Sequence, residues 1–322
     1  MMTRAEVAVW LKERDNFAIL THRRPDGDTL GSAAALCRML RALGKTTHIL
    51  ENPEITQRFA WLHENLTKVD AQPGDTLVCV DVASPQMLPQ CFQKYLGDIA
   101  LRIDHHASAT SFTPWELVDG GAGACAEILW DIGRELGLSL DGQTADAVYV
   151  AVSTDTGCFR FANTTGHTFS VAADCAQAGA RVFQLNQEIF ETNTLSKLRM
   201  QAWIVEHMQL LQGKRLAIVA IPRAVEQELG VTDDDMDNIS NFPRTVAGVC
   251  MAATLRQTRE GETKLSVRAV PGWDATKITQ AFGGGGHKGA AGASMKLPLE
   301  EAAKAVEGEM WKHFAKEAQI DS

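Results

Sequence analysis

Short apolar runs alternate with helical stretches over the first half of the chain. Four five-residue runs made up mostly of apolar and β-branched residues predict β-strands at residues 17–21, 46–50, 77–81 and 99–103. Apolar residues that recur at helical spacing predict helices at residues 30–43, 57–65, 125–136 and 144–152. This alternation predicts a parallel sheet covered on both faces. In such sheets ligands bind beyond the carboxyl ends of the strands, so the chemistry is expected there.

The pattern changes after a long helical region. Residues 166–187 predict a further helix, and residues 193–211 predict a single helix that connects two domains. The rest predicts a smaller mixed α+β domain, with strands at 216–221, 245–256 and 264–270, a helical stretch containing the acidic run 233–235, and helices at 274–281 and from Leu299. We therefore expect a catalytic domain at 1–190, a connecting helix at 191–212 and a second domain at 213–322.

Composition narrows the classes of protein that this chain can belong to. No apolar run approaches the roughly 20 residues that a membrane helix needs. Residues 1–16 predict an amphipathic helix rather than a signal peptide, so we expect a cytoplasmic protein with no membrane partner. A net charge of -9 disfavours a protein that grips long duplex nucleic acid through a basic face, although a small phosphorylated substrate remains compatible. Seven cysteines without a Cys-x-x-Cys pair argue against both disulfides and a thiolate metal site.

A histidine and two carboxylates lie between the first predicted strand and the helix after it. His22 ends the strand, and Asp26 and Asp28 flank a glycine four to six residues later. Turn formation and helix capping explain the aspartates and the glycine equally well. They do not explain the histidine, so this segment predicts nitrogen and oxygen ligands that converge on one point.

Three further segments place acids or imidazoles at the ends of predicted elements. Asp81 ends a strand, and by itself it is also compatible with a loop-capping role. Asp104, His105 and His106 follow another apolar strand, where they have no packing purpose. Asp155 follows an apolar helix. Independent structural explanations for all of these positions are improbable, so together they predict one site.

The predicted donor set consists of imidazoles and carboxylates. Such donors suit Mn²⁺, with Mg²⁺, Co²⁺, Fe²⁺ or Zn²⁺ as alternatives. The six predicted ligands are too many for one catalytic ion, and they suit two ions about 3.5 to 4 Å apart that share a water and lower its pKa. Such a pair hydrolyses phosphate esters. The predicted metal ligands are His22, Asp26, Asp28, Asp81, His105 and Asp155.

A glycine-rich segment at residues 283–292 contains a His-Lys pair. It is compatible with a flexible linker. It also predicts a cradle for phosphate, in which bare amides act together with His287 and Lys288. Arg268 alternates with apolar residues on a predicted strand, and is compatible with either a contact in the same site or an ordinary exposed position.

These segments resemble the DHH phosphoesterase superfamily, which is named for the triad found here as Asp104-His105-His106. The companion motifs at 22–28, Asp81 and 153–157 match as well, and residues 283–292 resemble the DHH-associated domain. Together they cover nearly the whole chain. Within the superfamily the chain most resembles the NrnA-type family, stand-alone enzymes that degrade very short RNA (nanoRNase activity) and 3′-phosphoadenosine 5′-phosphate (pAp).

The resemblance implies a fold and a set of roles. It implies an α/β, parallel-sheet DHH domain followed by a smaller mixed α+β domain, with the active site in the interdomain cleft. His22 and Asp26 would bind one metal, Asp28 and His105 the other, and Asp81 and Asp155 would lie between or beside both. Asp104 would orient the histidines and His106 would contact the reacting phosphate or assist the leaving oxygen. The implied substrate-binding residues are Arg268, Gly285, Gly286, His287, Lys288 and, as weaker candidates, Arg160 and Asn163.

The resemblance also implies substrates and alternatives. We expect two-metal hydrolysis of short RNA oligonucleotides to mononucleotides and of pAp to AMP, by a chain that can form a homodimer. The alternatives are a cyclic or linear dinucleotide phosphodiesterase and a nucleotide-binding regulator without activity. One departure from the family is recorded: relatives often carry an asparagine shortly after the triad, where this chain has Ala107-Ser-Ala-Thr110.

Overall fold

The computed structural model describes residues 1–236, 238–258 and 261–317. The chain divides into two compact units, Met1–Thr192 and Asn193–Ser322. In the described residues, no helix is both long enough and apolar enough to cross a membrane.

The first unit is built on a six-stranded parallel sheet. Its strands are β1 (Phe17–Leu20), β2 (Thr47–Leu50), β3 (Thr67–Lys68), β4 (Thr76–Val80), β5 (Ile99–Asp104) and β6 (Trp115–Val118). They lie in the order β3-β2-β1-β4-β5-β6, and every neighbouring pair is parallel. Every residue of β1 and β2 is buried, which explains why these strands are continuous apolar runs rather than alternating ones. The predicted α/β class is confirmed.

Helices cover this sheet and position the polar side chains at its edge. They are α1 (Arg4–Lys12), α2 (Gly27–Ala42), α3 (Cys125–Glu135), α4 (Gly142–Asp155), α5 (Gly166–Gln177) and α6 (Val182–Asn186). The helices α2 and α4 approach closely at Gly31, where a Cβ atom would lie 2.3 Å from the carbonyl oxygen of Ala147. The amino end of α2 also lies near the carboxyl end of α4, as a Cβ at Gly27 would meet the side chain of Thr154. Glycine at these two positions permits the close approach of the helices.

The second unit carries a mixed sheet of six strands. They are β7 (Gln209–Leu211), β8 (Leu216–Ile221), β9 (Met251–Gln257), β10 (Thr263–Ala269), β11 (Gly285–His287) and β12 (Ala290–Met295). The order is β11-β12-β10-β9-β8-β7, with β8 and β9 parallel and the other neighbours antiparallel. Its helices are α7 (Leu195–His207), α8 (Arg223–Leu229), α9 (Thr276–Gln280) and α10 (Leu299–Glu317). Ala302, Val306 and Met310, at a spacing of four residues, bury one stripe of α10 in the core of this unit.

Several predicted elements have different bounds in the structure. The predicted connecting helix ends at His207, and Gln209–Leu211 forms β7 because the left-handed residues Gln212 and Gly213 turn the chain back onto β8. The predicted helix at 166–187 is interrupted at Gly179, which has a φ of 96°. Residues 57–65 contain only the 3₁₀ turn Ala60–His63.

The second unit differs from prediction in the same way. The helix α8 ends at Leu229, where Gly230 adopts a left-handed cap, so the acidic run 233–235 lies outside it. The strand predicted from residue 245 begins at Met251, after the 3₁₀ turn Pro243–Thr245. The glycine-rich segment forms the β11–β12 hairpin. The strands β3, β6 and β7 were not predicted, since β3 and β7 have only two and three residues and β6 carries the charged Glu116.

Candidate metal centre

The candidate ligands lie at the carboxyl edge of the first sheet. The order of strands reverses direction between β1 and β4, and parallel sheets bind ligands in the crevice at such a point. His22 follows β1, Asp81 follows β4, and the triad begins at the last residue of β5. The amino end of α2 and the carboxyl end of α4 supply the remaining carboxylates.

Asp81 lies at the centre of the cluster. Its Oδ2 is 3.5 Å from Nε2 of His22, and its Oδ1 is 3.5 Å from Nε2 of His105 and 3.4 Å from Nδ1 of His106. The residue adopts a left-handed φ of 58°, a costly conformation for a side chain that bears a Cβ. Such strain persists where the surroundings fix the residue, as at functional sites. By these distances, one carboxylate oxygen of Asp81 faces His22 and the other faces His105 and His106.

The other three carboxylates complete those two groups. Oδ1 of Asp26 lies 3.6 Å from Nε2 of His22, while Asp28 and Asp155 lie 3.5 and 3.6 Å from Nε2 of His105. One group is His22, Asp26 and Asp81, and another is Asp28, His105 and Asp155. The structure thus brings together all six residues that the sequence predicts as ligands. Their individual roles stay predictions.

Backbone carbonyls orient the two histidines. Nδ1 of His22 donates to the carbonyl of Arg23 at 2.8 Å, and Nδ1 of His105 donates to the carbonyl of Ala122 at 3.1 Å. Each ring consequently presents Nε2 to the carboxylates. Metal-binding histidines are held in this manner, with the other nitrogen hydrogen-bonded to a carbonyl or a carboxylate.

Asp26 and Asp28 stabilise two different helices. Asp26 caps α2 by accepting from the amides of Asp28 and Thr29, at 3.0 and 3.1 Å. Asp28, which is 1% exposed, accepts from the amides of Cys125 and Ala126 at the start of α3. The N-cap residue of α3 provides no side-chain cap, and Asp28, which belongs to α2, caps α3 instead. These hydrogen bonds fix the position of the Asp28 carboxylate.

The charges of the cluster are unfavourable without cations. Burial and the neighbouring Asp81 raise the pKa of Asp28 well above its usual range, and burial also raises the pKa of Asp155 to about 7. Burial alone would lower the pKa of His105, but the surrounding carboxylates outweigh it and raise that pKa to about 9. Three carboxylates this close repel one another, and bound cations reverse that effect.

The donor set fits divalent metal ions. Oδ1 of Asp81 is buried and has no hydrogen-bond partner among the described residues, which is costly unless another group satisfies it. Imidazole nitrogens and carboxylate oxygens converge within 4.8 Å of one another in each group. These donors suit the hard and borderline ions Mg²⁺, Mn²⁺ and Zn²⁺.

The triad aspartate orients the second histidine. Asp104 is fully buried, and its Oδ1 accepts from the backbone amides of His105 and His106 and from Nδ1 of His106, the last at 2.8 Å. Its geometry agrees with an orienting role, and it fixes the plane of the His106 ring.

Arg102 lies behind the triad and was not among the residues predicted from the sequence. Its guanidinium is 1% exposed and lies 3.9 Å from Asp104 and 3.2 Å from Glu116. It also donates to the carbonyls of Ala83 and Thr110, at 3.1 and 3.0 Å. Arg102 thereby ties the loop after Asp81 to the loop after the triad. It occupies an inward-facing strand position, where an apolar residue is expected, and that anomaly was the available signal.

The predicted substrate contacts divide between the two units. In the first unit, Nδ2 of Asn163 donates to Oδ2 of Asp155 at 3.2 Å and to the carbonyl of Gly123 at 2.8 Å, and the exposed Arg160 donates to the carbonyl of Gly157. Asn163 therefore holds a candidate ligand. In the second unit, the β11–β12 hairpin carries the other candidates at exposed positions: Gly285, Gly286, His287 and Lys288. Arg268 lies on β10, opposite Ala290 of that hairpin.

Comparisons with known proteins cover both units of the chain. The model of the DHH family N-terminal domain matches residues 16–152, and the model of the DHHA1 domain matches residues 213–312. A bifunctional oligoribonuclease and PAP phosphatase, NrnA of Thermus thermophilus, is 32% identical over 291 residues, which cover 89% of this chain and 87% of the relative.

Two solved structures share the fold. An exopolyphosphatase-related protein from Bacteroides fragilis superposes with a TM-score of 0.89 at 19% identity, over 99% of this chain and 98% of its own. RecJ from Thermus thermophilus, in complex with Mn²⁺, superposes with a TM-score of 0.52 at 16% identity, over 98% of this chain and 55% of its own. The chain thus belongs to the DHH family, carries a DHHA1 domain in its second unit, and is a metal-dependent phosphoesterase.

Proposed function

We propose that this chain hydrolyses short RNA oligonucleotides to mononucleotides and pAp to AMP, with two divalent ions, Mn²⁺ first among them. The single observation that carries the proposal is the position of Asp81. Its two buried carboxylate oxygens face two different groups of imidazole and carboxylate donors. Two-metal phosphoesterases hold their ions about 3.5–4 Å apart, and a carboxylate that faces both groups of ligands suits that arrangement.

The substrate class comes from the relative of Thermus thermophilus. That protein is named an oligoribonuclease and PAP phosphatase, and the likeness extends over most of both chains. The net charge of -9 is consistent with small substrates, because long nucleic acids need many Lys and Arg contacts to their phosphates.

Six residues would hold the ions. His22 and Asp26 would hold one, and Asp28, His105 and Asp155 the other, with Asp81 between them. When bound, the pair supplies a Lewis acid that neutralises phosphate charge and makes water nucleophilic near pH 7. The protein contributes the orientation of these donors, through the carbonyls of Arg23 and Ala122 and the amides at the start of α3.

His106 is the proposed group beside the reacting phosphate. Nδ1 of His106 is fixed by Asp104, so the ring cannot turn freely about its long axis. Burial disfavours a charged ring, but the hydrogen bond to Asp104 outweighs it and raises the pKa of His106. A protonated imidazole there can donate a hydrogen bond to a phosphate oxygen or a proton to the leaving oxygen. Arg268 and the β11–β12 hairpin stay predicted contacts for the far end of the substrate.

A side-by-side assay tests the proposal. The purified chain with Mn²⁺ is given pAp, a three-residue RNA and cyclic di-AMP, and products are separated chromatographically. We expect AMP from the first substrate and mononucleotides from the second. Turnover of cyclic di-AMP alone would replace the proposal with the dinucleotide alternative. Nucleotide binding without any turnover, across several metals, would favour an inactive regulator.

A further inference from the structure

Ser32 carries a buried hydroxyl that contacts one of the candidate metal ligands. It belongs to α2, one helical turn after Asp28, and it is fully buried. Its Oγ donates to Oδ1 of Asp28 at 3.0 Å. A serine inside a helix commonly donates to the backbone carbonyl four residues earlier, but here the hydroxyl binds the side chain of that residue instead. The hydrogen bond of Ser32 therefore serves the carboxylate of Asp28 rather than the helix.

The two oxygens of the Asp28 carboxylate have different surroundings. Within the described part of the chain, Oδ1 accepts two hydrogen bonds, from Ser32 and from the amide of Ala126 at 3.2 Å. Oδ2 accepts one, from the amide of Cys125 at 2.7 Å, and it is the oxygen that lies 3.5 Å from Nε2 of His105. A carboxylate offers about four lone-pair sites, two on each oxygen. Both sites of Oδ1 are therefore engaged, whereas Oδ2 keeps one for a metal ion beside His105.

Of these three donors, only the Ser32 hydroxyl belongs to a side chain. The amides of Cys125 and Ala126 belong to the backbone at the start of α3. They hold the carboxylate in place whatever residue occupies position 32. The second hydrogen bond to Oδ1, which completes the difference between the two oxygens, depends on the serine alone.

The number of oxygens that a carboxylate offers affects which metal it suits. Mg²⁺ demands a near-octahedral shell at about 2.0–2.1 Å, and Mn²⁺ suits the same kind of site. Ca²⁺ is larger, takes about six to eight oxygens at 2.3–2.6 Å, and accepts a carboxylate through one oxygen or through both. A carboxylate restricted to one oxygen therefore suits the smaller ions better than Ca²⁺.

We propose that Ser32 is a positioning residue that makes Asp28 bind its metal ion through Oδ2 alone, and that it thereby favours Mn²⁺ and Mg²⁺ over Ca²⁺. The proposal rests on the proposed function, since it concerns one of the two ions described there. It applies to the group of Asp28, His105 and Asp155, because among the described residues Ser32 makes no hydrogen bond to the ligands of the other group.

Calorimetric titration of the metal-free protein with Mn²⁺ and with Ca²⁺ tests this role without any turnover. Ser32→Ala removes the hydroxyl and keeps a good helix former, so the fold should persist. We expect one of the two Mn²⁺ sites to lose about tenfold in affinity, the size of effect seen when a contact to a metal ligand is lost. The Kd for Ca²⁺ should change much less, so the preference for Mn²⁺ over Ca²⁺ should fall. Ser32→Thr, which keeps the hydroxyl, should restore both values.

A matched control removes a buried hydroxyl elsewhere. Thr254 lies on β9 in the second unit, is 1% exposed, and its hydroxyl has no hydrogen-bond partner among the described residues. Thr254→Val should leave both Mn²⁺ affinities and the preference over Ca²⁺ unchanged.

Crystals grown with limiting Mn²⁺ locate the effect. In the wild type, Oδ2 of Asp28 should contact the ion and Oδ1 should not. In Ser32→Ala, the anomalous peak beside Asp28 should weaken relative to the peak beside His22, which serves as an internal control.

Four outcomes would overturn the positioning role. They are an unchanged Mn²⁺ affinity and preference in Ser32→Ala, an equal weakening of both anomalous peaks, binding of the wild-type ion through Oδ1 of Asp28, and the absence of an ion beside Asp28 in the wild type. Turnover judges the proposed function separately. If the wild type hydrolyses no nucleotide but its Mn²⁺ affinity still depends on Ser32, the positioning role stands and the proposed function fails. If the wild type hydrolyses pAp and Ser32→Ala binds both metals as the wild type does, only the positioning role fails.

Discussion

The metal centre and the glycine-rich hairpin carry most of the candidate chemistry, and they hold it in opposite ways. In the metal centre, side chains from five elements meet around the buried Asp28 and Asp81, and backbone groups fix His22, Asp28 and His105. The hairpin places Gly285 to Lys288 at exposed positions within one short segment. A buried cluster with an unsatisfied oxygen indicates its ligand, because burial without one would be costly. An exposed loop has no such cost, because water satisfies its polar groups. Its geometry alone therefore does not indicate a ligand, and binding must be measured.

The largest effect that this contrast predicts is the loss of the shared carboxylate. Asp81→Asn should lower kcat/KM on the order of 10³-fold or more, since the amide removes the charge between the two groups of ligands and each tenfold costs about 1.4 kcal/mol. Asparagine tolerates the left-handed backbone at this position, so the fold should persist. Steady-state kinetics with Mn²⁺ measures the loss, and the exposed Asp70→Asn is the control. Activity within tenfold of the wild type would contradict the central place of Asp81.

A substitution at Arg102 tests whether a buried charge behind the metal centre stabilises the fold. Arg102→Gln leaves Asp104 and Glu116 buried without their cation, so the free energy of unfolding should fall by about 3–5 kcal/mol. Denaturant titration measures this fall. Arg134→Gln, at a side chain that is 67% exposed, should change the free energy of unfolding by no more than about 0.5 kcal/mol. Equal stability of the two variants would show that Arg102 is replaceable.

Asn163 and His287 sharpen the contrast between the two regions. Asn163→Ala removes the amide that holds Asp155, so the apparent Mn²⁺ affinity should fall about tenfold while substrate KM at saturating metal stays constant. His287→Ala should do the reverse, with a higher KM and unchanged metal affinity. Activity measured over a grid of metal and substrate concentrations separates the two parameters. A higher KM at saturating metal in Asn163→Ala would return this residue to the substrate contacts that the sequence predicts.

The pH dependence of metal stabilisation is the smallest predicted effect. In the metal-free chain the pKa of Asp155 is raised to about 7 and that of His105 to about 9, both above their unfolded values. Protonation of these groups therefore stabilises the metal-free fold at low pH, and this stability is lost as the pH rises towards 9. Ions must displace those protons, so the rise in Tm caused by Mn²⁺ should grow from pH 5 to pH 9. A rise in Tm that is constant across this range would mean that the ions bind elsewhere.

The sequence was sufficient to predict the ligands whose position depends on local motifs and on the direction of the strands. His22, Asp81 and His105 could be found because the carboxyl ends of parallel strands share one edge of a sheet. It did not show that Asp26 rather than Asp28 caps α2, since either carboxylate suits the turn chemistry. In the structure Asp26 accepts from the amides at the start of α2, while Asp28 accepts from the distant amide of Cys125.

The contacts of Arg102 and Asn163 could not be predicted because they join residues that are distant in the sequence. Arg102 pairs with Glu116, fourteen positions away, and Asn163 reaches back to Gly123. No periodicity encodes such pairs.

The hairpin escaped prediction because its glycines resemble a linker. In the structure, Gly286 has a φ of 141° and a Cβ there would lie 2.6 Å from the carbonyl oxygen of Ala290, so glycine is needed for the two strands to pair.

Anomalous scattering from crystals grown with excess Mn²⁺ tests the central claim most directly. We predict two Mn²⁺ peaks, one on each side of Asp81, with His22 and Asp26 against the first and Asp28, His105 and Asp155 against the second. Peaks remote from Asp81, or no ordered ion at this edge of the sheet, would contradict the assignment of these residues as a two-metal centre.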